Sequence, residues 1–179
     1  MALDLQNLDT KTRRLMLEEL QLDIDNRDVY ISSRLNEKGA AMFTDLLKKS
    51  IDMGSSNTFA LDLKLNGCFN TTEPRSTKTG GITKSRMPDN AHEILAEREY
   101  NRYYARAVCR RADAISVFVE VYKARELEGL PPEVNAMVGK QLDPTHLLES
   151  LRRNKAFEPS IGLPSALFSG LSIRMVRPV

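Results

Sequence analysis

Tryptophan is missing from this chain, and histidine and cysteine are scarce, at two residues each. That scarcity removes several chemistries at once. His92 and His146 have no partner at metal-ligand spacing, and Cys68 and Cys109 form no CxxC pair. The HExxH, zinc-finger and EF-hand patterns are therefore absent. Two lone thiols point to a reducing compartment rather than to a disulfide framework. Neither sign of charge dominates: 26 basic residues face 24 acidic ones, for a formal net charge of +2. Bulk charge does not make the chain a polycation, although a local basic patch can still meet nucleic acid. Long apolar runs are missing too. Nothing approaches the roughly 18 apolar residues of a membrane span, so no membrane partner is expected. The opening MALDLQNLDTKTRRL lacks a basic region followed by an apolar run, so no signal peptide is expected.

What is present suits one domain with a packed core: 179 residues, 41% of them hydrophobic. Asp9 is placed to cap a helix running to Asp25, whose apolar set (Leu15, Met16, Leu17, Leu20, Leu22, Ile24) is broad rather than a narrow stripe. Asn36 starts a second helix, in which Ala40, Phe43, Leu46, Leu47, Ser50 and Ile51 follow one buried face, with Gly54 as a left-handed stop. The stretch 58–66 is ambiguous. Phe59, Leu61, Leu63 and Leu65 alternate as in a strand, yet Ser56 or Asn57 can cap a short helix ended by Gly67, and no partner strand lies nearby. Helix is the expected state.

Phe69 to Asp89 is polar. It carries Arg75, Lys78, Lys84 and Arg86 against the single acid Glu73 before Asp89. Loops of this length are usually functional or disordered, and Thr79-Gly80-Gly81-Ile82 has the composition of a hairpin turn. A long helix follows, with Asn90 and Glu93 at capping-box spacing. Projected at about 100° per residue, it shows two apolar sectors. One holds Ala96, Tyr100, Tyr103, Tyr104 and Ala107; the other holds Ala91, Ile94, Leu95, Ala105, Cys109 and Ala112. Such a helix belongs at the centre of a fold, or between a domain and its neighbour.

Arg98, Arg102, Arg106 and Arg110 recur along this helix at i+4. Arg102 has Glu99, and Arg110 has Asp113, at ion-pair spacing; Arg98 and Arg106 have no acid at those positions. Two readings stand: ion pairing within the chain or between subunits, and contact with phosphate alongside the basic loop. Over Asp89–Asp113 five arginines face five acids, which favours pairing and makes Arg98 and Arg106 the expected protein-to-protein contacts.

Further on, Ile115 to Tyr122 alternates and is rich in β-branched and aromatic residues, as in a strand. Asp143 with Pro144 starts a short helix to Arg153. The body is read as residues 1–154. Residues 155–179 are read as an extended C-terminal arm ending in a short strand at Leu171, Ile173 and Met175. The arm carries Phe157, Leu163, Leu167 and Phe168 and is apolar yet irregular, broken by Pro159, Pro164 and Pro178. A disordered tail would be more charged. The arm therefore either wraps its own body or lies on a neighbour. The fold class expected is mainly α with a small β component.

Catalytic patterns fail one by one. Gly81-Ile82-Thr83-Lys84-Ser85 lacks phosphate-loop spacing, and GxSxG is absent. Asp62-Leu63-Lys64 resembles half of a metal-dependent nuclease site but needs a second acid on an adjacent strand. Cys109 sits on an apolar helix face as a packing residue, and His92 is expected to be solvated. No catalytic residue, cofactor or metal is expected.

The segment Leu95-Ala-Glu-Arg-Glu-Tyr-Asn-Arg-Tyr-Tyr-Ala-Arg-Ala-Val-Cys-Arg-Arg-Ala112 resembles a helix in largely uncharacterised proteins of tailed phages and prophages. The ending Gly162-Leu163-Pro164 with Ser169-Gly170-Leu171-Ser172 resembles the same group. Together they cover a minor part of the chain. A helical body with an extended arm is similar in layout to head–tail adaptor proteins, which bind the portal ring as rings, often through such an arm. The resemblance implies a structural virion protein assembled in the host cytoplasm. Its partners would be copies of itself, the portal or other virion proteins, with non-specific DNA contact possible. No adaptor motif is matched residue by residue, so no functional residues carry over. The alternatives are a nucleic-acid-binding protein that uses the basic loop and Arg ridge, or another virion component such as a capsid-associated protein.

Overall fold

Three helices open the chain, each fixed by its cap. In α1 (Thr10–Asp25) the Asp9 carboxylate accepts from the Thr12 amide at 2.8 Å. In α2 (Glu37–Met53) Asn36 accepts from Gly39 at 2.8 Å. Residues 58–66 are helical except for Asn66, in α3 (Ser56–Leu65). Its cap is Ser55, one residue before the expected Ser56, and Ser55 and Thr58 complete a reciprocal capping box. Gly54 is the C-cap of α2 but is not left-handed, at φ −126°. Its small size is what the α2–α3 corner uses, since a Cβ there would lie 2.3 Å from Thr58 Oγ1. Gly39 is constrained in the same way: a Cβ would meet the Cys68 carbonyl oxygen at 2.1 Å, where α2 starts against the end of the α3 loop.

The computed structural model describes residues 3–76, 80–126, 132–153 and 170–176. After α3 come the antiparallel strands β1 (Thr72–Ser76) and β2 (Ile82–Arg86), so the basic segment is a hairpin. The long helix is α4 (Ala91–Asp113). Its expected capping box does not form: Asn90 sits at φ −99°, ψ 13° and makes no side-chain cap bond. The Pro88 and Asn90 carbonyls take the amides of Ala91 and of Glu93 and Ile94 instead, winding the chain into the helix through a turn.

Every residue of α4 from Leu95 to Cys109 is buried. It is therefore a central helix, packed by α1, α3, α6 (Pro144–Arg153) and the sheet. The strand expected over 115–122 begins only at Val119, as β3 (Val119–Lys123). The reason is local. Ser116 takes a left-handed φ of 54°, and the amides of Val117 and Ser116 bond back to Ala112 and Asp113. That is a Schellman ending, and it carries Ile115 away from the sheet. The short helix α5 (Pro132–Asn135) and strand β4 (Gln141–Leu142) follow, then α6, in which Asp143 accepts from His146 as expected.

The last strand corrects the reading of the arm. In β5 (Leu171–Met175) the backbone pairs antiparallel with β3, from Val119↔Met175 to Lys123↔Leu171, giving the sheet order β4-β3-β5. Leu171 and Ile173 lie in the core shared with α4. They are not docking residues for a neighbour, and residues 170–176 belong to the body, so the body does not stop at 154. Ser172 donates to Asn101 Oδ1 at 2.6 Å, and Asn101 donates to the Leu171 carbonyl at 2.9 Å, tying the strand to the central helix. Met175 is half-buried, and its amide bonds to Asn7. Phe157, Leu163, Leu167 and Phe168 lie outside the described residues. The fold is mainly α with a small β component.

Candidate functional site

The Arg ladder of α4 lies inside the protein. Arg98, Arg102 and Arg106 are 3%, 1% and 0% exposed. Phosphate contact by these three is thereby removed, and so is the role of Arg98 and Arg106 as contacts to another subunit. Arg106 extends from α4 to α1, where its Nη1 meets Asp23 Oδ2 at 2.8 Å. The same guanidinium donates to the Leu151 carbonyl at 2.9 Å, so one side chain holds α1, α4 and α6 together. Tyr103 donates to the same Asp23 oxygen at 2.9 Å. Arg102 meets Glu99 at 3.3 Å, as its spacing predicts, and Arg98 lies 3.4 Å from the same carboxylate. Both guanidiniums also sit by the Tyr30 ring, at 5.0 and 5.4 Å from its centroid. Arg110 is half-buried and turns to Glu18 (2.9 Å) and Glu19 (3.4 Å) on α1, not to Asp113.

Sequence reading missed the acids that complete this network. Thr12, Met16, Glu19, Leu20 and Asp23 form the buried stripe of α1, while Leu22 is left exposed. A hydrophobic projection counts Leu22 as core and discards Glu19 and Asp23. The available signal was their i, i+4 spacing on the Met16–Leu20 face. Glu19 is gripped by Arg152 of α6 through two bonds, 3.0 and 2.6 Å. Burial pushes the Glu99 carboxyl above the usual carboxylate range, against the opposing pull of Arg102 and Arg98. A raised carboxyl in a cleft is a candidate acid or base. Glu99 is 1% exposed and faces guanidiniums, which makes it a structural group.

The remaining candidates separate in space. Asp62 lies on α3, paired with Lys49 at 2.9 Å, so the strand context of the nuclease pattern is missing. His92 is not solvated: it is buried in the first turn of α4, 3.7 Å from Glu93. A cavity of about 270 Å³ beside it is lined by Asn57, Lys64, His92, Glu93 and Glu97, among others. Glu97 is engaged by Arg125. Among the described residues no three His, Cys, Asp or Glu side chains group as metal ligands. Cys68 and Cys109 are free and buried, and burial pushes the Cys109 thiol up, away from the reactive thiolate. Among the described residues no helix is long and apolar enough to cross a membrane.

The hairpin behaves differently. Cross-strand partners share a face, so the register Thr72↔Arg86, Pro74↔Lys84 and Ser76↔Ile82 defines one side, and Glu73↔Ser85 and Arg75↔Thr83 the other. The second side is turned to the body near its base, where Glu73 pairs with Arg34 at 2.7 Å. The first side is exposed at every position, with Ile82, Lys84 and Arg86 in one row on β2 and no acid among its six residues. Arg86 reaches Asp89 at 3.3 Å, a pair so exposed that it holds little. Of the predicted contact residues, the structure brings Lys84 and Arg86 to one face and puts Arg75, also exposed, on the other. Lys78 lies outside the described residues.

Compared with protein-family models, curated proteins and solved structures, the chain finds no match in any of the three.

Proposed function

We propose that the chain is a structural subunit of a tailed-phage particle, a head–tail connector that assembles as a ring on the portal. One observation carries the reading: a hairpin uncovered on one entire face projects from a body whose central charges are consumed internally. Among the described residues no third strand joins this hairpin, and its exposed edges and cationic row offer bonding capacity to a partner. The phage setting comes from the resemblance of Leu95–Ala112, and the C-terminal segment remains a second attachment element through Phe157, Leu163, Leu167 and Phe168. Native mass spectrometry and negative-stain imaging of the purified chain test this. Closed rings are expected; a protein monomeric at every concentration tried defeats the connector reading. A capsid-associated role is the same reading with a different neighbour.

The second reading, nucleic-acid binding, is favoured by the exposure of Arg75, Lys84 and Arg86. It has lost the Arg ridge to burial. It predicts duplex DNA binding that falls steeply with salt, with a log–log slope of about −0.9 per phosphate neutralised. A gel shift blank at low salt removes it.

A further inference from the structure

The hairpin row has its chemical opposite elsewhere on the same chain. Beyond the end of α4, Asp113, Ser116, Val117, Phe118, Asp143 and Pro144 line a cavity of about 250 Å³. Two carboxylates stand in this lining, and it includes no basic side chain. Both acids are exposed, each with one oxygen held: Asp113 Oδ1 by Thr145 and Asp143 Oδ1 by the His146 amide. In the lining stands one large uncovered apolar side chain, Phe118 at 53% exposure. The hairpin offers the reverse set, with Ile82 at 80% exposure followed by Lys84 and Arg86. Alternate residues on a strand step by about 6.8 Å, so the apolar group and the two cations form a line rather than a cluster.

The two surfaces cannot meet within one molecule. The hairpin enters the N-terminal end of α4 and the cavity lies past its C-terminal end, and 23 helical residues span about 34 Å. A five-residue strand reaches only about 17 Å. Complementary patches at opposite ends of a rigid rod pair only between copies, head to tail. Such heterologous contacts give rings when the rotation closes and filaments when it does not.

We infer that the Ile82–Lys84–Arg86 face of one copy seats in the Asp113–Phe118–Asp143 cavity of the next. This inference rests on the ring reading above and supplies its interface. The test uses the full chain in two variants, Lys84→Ser/Arg86→Ser and Asp113→Lys/Phe118→Asp, with circular dichroism and melting to show that each is folded. Light scattering then gives the assembly state. Each variant alone is expected to be monomeric. Mixed in equal amounts they retain one intact interface between them and should give a dimer and nothing larger. A wild-type protein that forms rings while both folded variants still assemble overturns this interface and leaves the connector reading standing. A wild-type protein that stays monomeric overturns both. Should Asp113→Lys/Phe118→Asp fail to fold, Asp113→Asn alone replaces it, and undiminished assembly of that variant counts against the interface.

Discussion

The central helix and the hairpin both carry rows of cations, and the protein treats them in opposite ways. Along α4 the guanidiniums are desolvated and answered by Glu99 of the same helix and by a carboxylate, a carbonyl and an aromatic ring from elsewhere in the chain. On β2 the cations stand in water beside threonine, serine and proline. A buried charge that loses its partner is strongly destabilising, whereas an exposed one contributes little. The same residue type is therefore structural on one element and available for contact on the other, and burial alone separates the roles.

The largest effect should come from removing β5. Truncation after Arg153 deletes Leu171 and Ile173 from the core, and losing one such side chain costs roughly 2–5 kcal/mol. Set against a domain stability of about 5–15 kcal/mol, we expect loss of cooperative unfolding in a near-UV melt. A truncated chain that melts normally would mean that β5 is peripheral. Next is Arg106→Ala, which takes the counter-ion from Asp23, leaving it the Tyr103 hydroxyl, and removes the donor to the Leu151 carbonyl. A loss of about 3–5 kcal/mol is expected from urea denaturation; a loss below 1 kcal/mol would dissolve the contrast with the hairpin.

Asp9→Ala should cost about 1 kcal/mol by uncapping α1. Its pH dependence has a defined sign. Partial burial raises the Asp9 carboxyl, but the Thr12 amide and Arg111 lower it further, and the net shift is down. A folded-state value below the unfolded one of about 3.9 stabilises the fold above that pH, and the contribution fades as pH falls through the folded value. The wild-type advantage over Asp9→Ala should therefore be constant near neutrality and shrink below about pH 4, read from denaturation midpoints. Smallest of all, Lys84→Ala/Arg86→Ala should shift stability by no more than about 0.5 kcal/mol. A larger change in the isolated monomer would show that the outer face of the hairpin is packed after all.

Most elements were legible because their local signals agree with their final setting. Asp9, Asn36 and Asp143 cap the helices their positions announce, and the two apolar sectors of α4 announced a central helix. Several of the failures share a cause, which is that a partner distant in sequence decides the outcome. Arg98 and Arg106 looked unpaired because spacing arguments see only their own helix. The answer to Arg106 is Asp23, 83 positions away; Arg98 meets the adjacent Glu99, a spacing the i+3 and i+4 rule passes over, and the ring of the distant Tyr30. Leu171 and Ile173 read as a free strand because β3, their partner, is separated from them by a short helix, a strand and α6. Ile115 to Phe118 read as strand because nothing in a serine announces a left-handed φ. The hairpin face, by contrast, needed only the register.

The pairing of β5 with β3 also sets an order of events during synthesis. Val119 and Val121, both fully buried in the finished sheet, leave the ribosome well before Leu171 and Ile173 do. Until then β3 has one side open, and Asn101 lacks the Ser172 hydroxyl it finally holds. Asp4 and Asn7 wait longer still, since they are stitched to Ala124 and to Met175. A nascent chain thus keeps a hydrophobic strand edge exposed until its closing partner arrives, and that interval, rather than any weakness of the finished fold, is when it is most open to pairing with the wrong strand.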